Sequence, residues 1–205
     1  MKSALLLLAL LPFGAPSAAA ATLEITVADA RGAPVADAVV AALPKGGPAM
    51  LRKRDAAIEQ RDKTFIPLVS VVQTGTAMQF PNRDPIRHHV YSFSPAKPFE
   101  LKLYAGTPAA PVIFDKPGEV VLGCNIHDHM LAYVYVVDTP WFAKTDAAGK
   151  ARIEGLPPGD YDLQLTHYAQ AETPAPKPVK ARGEESIPAP FTVPLKALPP
   201  RPAPT

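Results

Sequence analysis

The chain has 205 residues, 21 Lys and Arg against 19 Asp and Glu, and a formal charge of +2. That balance offers no basic face for nucleic acid or an anionic membrane, and the length limits the chain to one domain or two small ones. Its 26 prolines and 12 glycines break it too often for a helical protein, and its single cysteine cannot form an internal disulfide.

The first segment, 1–21, starts with Lys2, continues through the apolar run Ala4 to Leu11 and ends in small residues. This is the pattern of a secretory signal cut near Ala20 or Ala21. The run is shorter than the roughly 20 apolar residues that span a bilayer, so the mature chain is expected in the periplasm with no membrane span. Leu23 to Val27 alternates apolar and polar residues, the period of a half-buried strand. After a turn at Ala30 to Ala33, Pro34 to Leu43 is expected as a second strand. Arg52 to Lys63 mixes both charge signs and reads as a solvated connector.

Short strand patterns follow at Phe65 to Val72, Thr76 to Phe80, His88 to Phe93, Phe99 to Tyr104, Pro111 to Phe114, Val120 to Cys124 and Leu131 to Val137. Pro and Gly turns separate them, and Pro81-Asn82-Arg83-Asp84-Pro85 is the strongest loop signal. Ala151 to Glu154, Tyr161 to Leu165 and Ser186 to Leu195 supply later strands, and 196–205 is a Pro-rich tail without periodicity. Strands this short and evenly spaced predict an all-β fold, a sandwich or Greek-key barrel.

The chemistry concentrates in Gly123-Cys124-Asn125-Ile126-His127-Asp128-His129-Met130. One thiolate, two imidazoles and a weak thioether match the His2Cys set with a long axial Met that holds mononuclear copper. Zinc usually takes more cysteines or a carboxylate, and haem attachment needs a second cysteine. The spacing Cys-x2-His-x2-Met selects Cys124, His127 and Met130 within one tight loop between strands. The remaining imidazole comes from another strand, and the chain offers His88 or His89. If His89 points inward, Tyr91 and Phe93 share its face; if His88 does, Val90 and Ser92 share its face. His129 is expected to face solvent. Asp84, Asp115 and Asp128 are expected as turn and cap residues.

On these residues the segment from Phe65 to Asp138 resembles a cupredoxin of the amicyanin and pseudoazurin type. The family carries a His-Asn-Val triplet on one strand, and His88-His89-Val90 stands in that place, preceded by Phe80-Pro81-Asn82. The resemblance implies one type 1 copper ion held by His88, Cys124, His127 and Met130. It puts His89 at the family's Asn position, where a side chain ties the two ligand loops together, with Asn82 close by. Leu122 departs from the aromatic residue often found two before the cysteine. The resemblance further implies single-electron transfer rather than enzymatic turnover. Periplasmic redox partners would dock transiently near His127, over a patch that includes Ile126 and Met130.

Asp29 to Val40, with Thr145-Asp146, Gly149 and Leu156 to Leu163, resembles a carboxypeptidase regulatory-like β-sandwich. Methylamine-utilisation-type proteins share this architecture, although no residue here implies amine oxidation. The implied organisation is a discontinuous sandwich from 22–48 and 138–195, interrupted by a copper domain at 49–137. Leu23 to Val27 would then pair with Tyr161 to Leu165; without that pairing the plain alternative is a copper domain with N- and C-terminal extensions. Two other functions stay open on the residues alone: copper binding and delivery without redox turnover, and a non-metal binding or adhesion sandwich.

Overall fold

The computed structural model describes residues 20–51 and 54–197. The body of the expected signal segment and the end of the Pro-rich tail lie outside the described residues. Among the described residues the chain is all-β. The first strands are β1 (Ala21–Ala28), β2 (Val39–Pro44), β3 (Asp55–Ala57), β4 (Glu59–Arg61), β5 (Thr64–Ile66) and β6 (Val69–Gln73). Then come β7 (Thr76–Gln79), β8 (His88–Ser92), β9 (Phe99–Tyr104), β10 (Val112–Phe114), β11 (Gly118–Gly123) and β12 (Leu131–Val137). The last are β13 (Phe142–Lys144), β14 (Lys150–Leu156), β15 (Gly159–Thr166), β16 (Lys177–Ala181) and β17 (Ser186–Thr192). No helix among the described residues is long and apolar enough to cross a membrane.

The N- and C-terminal segments form one small sandwich. Its sheets run β14-β1-β17 and β13-β2-β15-β16. The period of two along β1 buries Ala21, Leu23, Ile25 and Val27 on one face. The same period along β15 buries Tyr161, Leu163 and Leu165, and both rows meet in a shared apolar core. This corrects one expected pairing. β1 does not hydrogen-bond with Tyr161 to Leu165; its neighbours are β14 and β17, and β15 lies between β2 and β16 in the other sheet. The two segments face each other across the core because each has only one apolar face to bury.

The middle of the chain builds the second, Greek-key sandwich. A five-stranded sheet, β6-β12-β11-β8-β9, packs with the short sheet β10-β7-β3 around Phe65, Phe80, Phe114, Val120, Leu122 and Val134. The expected solvated connector is part of it. β3 pairs with β7 and β4 with β5, and Ile58 and Gln60 are fully buried. Among its described residues Ile58 and Gln60 turn fully inward and Ala56 partly, so a single large apolar side chain in a polar segment concealed the strands.

A third, small cluster joins the sandwiches. Val39 on β2 meets Val69 and Tyr135, with Tyr168 packed alongside, and Tyr133 stacks on Tyr168 at 4.9 Å. β2 is therefore buried on both faces, which is why its pattern Val39-Val40-Ala41-Ala42 shows no alternation.

Candidate metal centre

β11 and β12 form a hairpin whose last paired residues are Gly123 and Leu131. The loop 124–130 therefore closes the end of the second sandwich. The backbone N–H of Met130 donates to the His127 carbonyl at 3.0 Å, tightening the loop so that Cys124 and Met130 both turn into the core beside Leu122 and Phe80. Cys124 is a buried free thiol. On the neighbouring strand, Tyr91 of β8 is registered opposite Gly123, which brings the start of β8 beside the loop.

Adjacent strand residues face opposite ways, and this separates the two histidines. His88, Val90 and Ser92 are buried at 0%, 0% and 1% exposure. His89 shares the other face with Tyr91 and Phe93, their rings following one another at 5.7 and 5.0 Å. His88, Cys124 and His127 thus converge, each offering a ligand atom within 4.8 Å of the others. Cys124 Sγ lies 4.0 Å from His127 Nδ1, and the His88 and His127 rings are 5.1 Å apart. His127 is half-buried, and burial, followed by the positive fields of His88 and Lys63, holds its imidazole below the ordinary histidine range.

His88 carries the most informative detail. Its Nε2 meets Asp84 Oδ2 at 2.6 Å, whereas its Nδ1 is buried without a hydrogen-bond partner. A buried, unpaired ring nitrogen costs on the order of 1–3 kcal/mol unless something else uses its lone pair. A thiol and a second imidazole beside it complete a soft, nitrogen-rich donor set that fits copper. These residues therefore fit the metal that the donor pattern implies.

Asn82 is buried and organises the loop before β8. Its side chain donates to the carbonyls of Ile86 and Tyr104 at 2.8 and 3.0 Å and accepts from the Asp84 N–H at 2.9 Å. Behind it, Gln60 is bonded to the Phe80 carbonyl and the Tyr104 hydroxyl. Burial pushes that hydroxyl up to about 12, so it stays a donor, to Phe80, near neutral pH.

Several expectations change here. His89 does not tie the ligand loops together; its Nε2 bonds Glu100 on β9 at 2.9 Å. Asp84 is more than a turn residue, because its carboxylate reaches His88. Asp115 is an ordinary surface partner of Lys97, and Asp128 is exposed. His129 is half-buried rather than free in solvent, and its Nε2 donates to the Lys63 carbonyl at 3.0 Å. Met130 is buried and adds nothing to the surface around His127, whereas Ile126 is exposed. Asp84 carried one usable sequence signal, its position four residues before His88, but in an irregular loop that spacing has no fixed meaning.

No family model matches the chain, and no curated protein matches it. Among solved structures, a copper-containing nitrite reductase from Thermus scotoductus SA-01 is 23% identical, covering 46% of this chain and 27% of the reductase, at a TM-score of 0.39. This chain thus spans only about a quarter of that enzyme. A purple cupredoxin from Nitrosopumilus maritimus is 19% identical over 40% of this chain and 99% of its own, at 0.36. A pseudoazurin from Sinorhizobium meliloti is 20% identical over 42% of this chain and 76% of its own, at 0.34.

Proposed function

We propose that the chain is a type 1 copper protein of the cupredoxin kind. It holds one copper ion through His88, Cys124, His127 and Met130 and carries single electrons between redox partners after export to the periplasm. The unpaired, buried Nδ1 of His88, set beside a thiol and a second imidazole, carries this reading. Copper, when bound, supplies a one-electron couple. The protein's part is to keep the donors in place. Cys124 and Met130 are held by the apolar core, His88 by the strand β8 and Asp84, and water is kept from all three. Of the four side chains only His127 reaches solvent, so a partner docks over it and the exposed Ile126. Redox encounters of this type bury less than about 1,200 Å². We read the chain as a carrier rather than an enzyme.

We read residues 49–137 as a unit inserted between the two parts of the outer sandwich, 22–48 and 138–195. Both crossings lie against the turn after β6. Gln73 donates to the Met50 carbonyl on the way in, and Thr74 bonds Val137 and Asp138 on the way out. Insertion is tolerated where chain ends lie together at a surface.

Adding Cu(II) to the purified protein and recording its visible spectrum tests the function. An intense thiolate-to-copper band is expected, and Cys124→Ser should abolish it. A colourless protein that binds Cu(I) would replace electron transfer with copper delivery. A protein that takes up neither ion would remove the reading.

A further inference from the structure

The turn between β4 and β5 is built from Asp62 and Lys63, both in the left-handed region at φ 52° and 53°. A two-residue hairpin demands that geometry, but it favours Asn-Gly or Asp-Gly. A lysine there is uncommon and needs outside support.

The support comes from both ligand-bearing segments. Asp84, four residues before His88, accepts the Asp62 N–H on Oδ1 at 2.7 Å and the Lys63 N–H on Oδ2 at 2.9 Å. His129, within the Cys124 to Met130 loop, donates to the Lys63 carbonyl at 3.0 Å. One turn is thus pinned to the loop before β8 and to the loop after β11. The tie between ligand loops expected at His89 runs instead through Asp84, the backbone of Asp62 and Lys63, and His129.

The same carboxylate decides what His88 offers. Asp84 Oδ2 also meets His88 Nε2 at 2.6 Å. The Asp84 side chain is only 8% exposed and its oxygens already accept two backbone N–H groups. A carboxylate so placed accepts a further bond, so the imidazole donates from Nε2. The neutral ring then has no proton on Nδ1, the nitrogen left unpartnered inside the cluster. An outer carboxylate that donates no ligand itself can still fix a histidine's tautomer and orientation and raise its basicity. The carboxylate is itself held fast, because Asn82 fixes the Asp84 backbone.

We propose that Asp84 is the positioning residue of this centre: through the β4–β5 turn and His88 Nε2 it holds the bare Nδ1 of His88 toward Cys124 and His127. The proposal rests on the copper reading for its purpose but not for its geometry, and the two can be tested apart. Nitrogen NMR shifts of the metal-free protein, read where His88 carries a single proton, should show that proton on Nε2 and not on Nδ1. In Asp84→Asn the side chain keeps one accepting oxygen for three donors, the N–H groups of Asp62 and Lys63 and His88 Nε2. The His88 signal should leave that tautomer while the remaining strand amide signals stay in place. Cu(II) affinity should fall 10–100-fold, the usual loss when an outer partner of a ligand is removed. The reduction potential should rise, because a less basic imidazole favours the reduced ion. His88 protonated on Nδ1 in the parent protein would overturn the proposal. So would an Asp84→Asn protein with unchanged tautomer, affinity and potential. If the parent protein takes up no Cu(II) yet shows the expected tautomer and its loss in Asp84→Asn, the copper reading falls and the positioning role stands.

Discussion

The two sandwiches are built by different rules. The outer one buries little that is polar, and what it buries is satisfied. Thr145 Oγ1 accepts from Ala38 and donates to Val35, Thr139 Oγ1 donates to Ala42, and His167 Nδ1 accepts from Ala169. The inner one buries Gln60, Gln73, Thr76, Asn82, His88, His89 and Ser92. Among the described residues, the three buried side-chain atoms without a partner, Gln60 Oε1, Gln79 Oε1 and His88 Nδ1, all lie in it. Buried polar groups left unsatisfied cost stability and gather where structure serves function. The outer sandwich therefore reads as scaffold. The inner one accepts a less stable end in exchange for a set of donors.

The largest effect that sharpens this contrast is expected from Leu163→Ala. Leu163 is fully buried in the outer core, and the truncation should cost about 2–5 kcal/mol. If the two units are separate, denaturant melts should record that loss while the visible copper band keeps its position and intensity. Loss of the band in folded protein would show that the units are one.

Gly123→Ala comes next. A Cβ there would lie 2.8 Å from the Tyr91 ring, in a register position next to Cys124. Overpacking of this kind costs about 1–3 kcal/mol, and it should shift the band as Cys124 moves. Adding Tyr91→Leu should recover most of the stability. In the outer region Gly46→Ala meets nothing within 4 Å and should be close to neutral by thermal melting. Equal costs at the two glycines would break the comparison.

The smallest effect belongs to His167, at the joint beside Tyr168. Burial holds its imidazole below the ordinary value of 6.5. The unfolded chain therefore takes up the proton first as pH falls. The stability that depends on neutral His167 is fully present above about 6.5 and is lost as pH drops below it toward the lowered folded value. Protonation would also break the bond from Ala169 to Nδ1. Metal-free His167→Gln should show a shallower fall in melting temperature over that range than the parent chain; identical slopes would remove His167 as the cause.

Much of this was legible in the chain. Alternation at Leu23 to Val27 and Tyr161 to Leu165 revealed strands because each buries one face. Cys124, His127 and Met130 were legible as a set because a seven-residue loop keeps its ligands local. Arg52 to Lys63 misled because its inward row, Ala56, Ile58 and Gln60, holds only one large apolar side chain among charged residues. β16 was hidden by its one proline and two lysines, which suit an edge strand that only β15 pairs.

Local sequence thus determined an all-β chain with one loop of soft donors, since strand period and ligand spacing act over a few residues. Only the tertiary structure decided which of the adjacent histidines turns inward. A strand must send one of them each way, and the partners that choose, Glu100 for His89 and Asp84 for His88, come from other segments. It also decided that a lysine in a strained turn joins the two ligand loops. That bond runs from Lys63 to His129 across 66 residues of sequence, a distance over which no local pattern carries information.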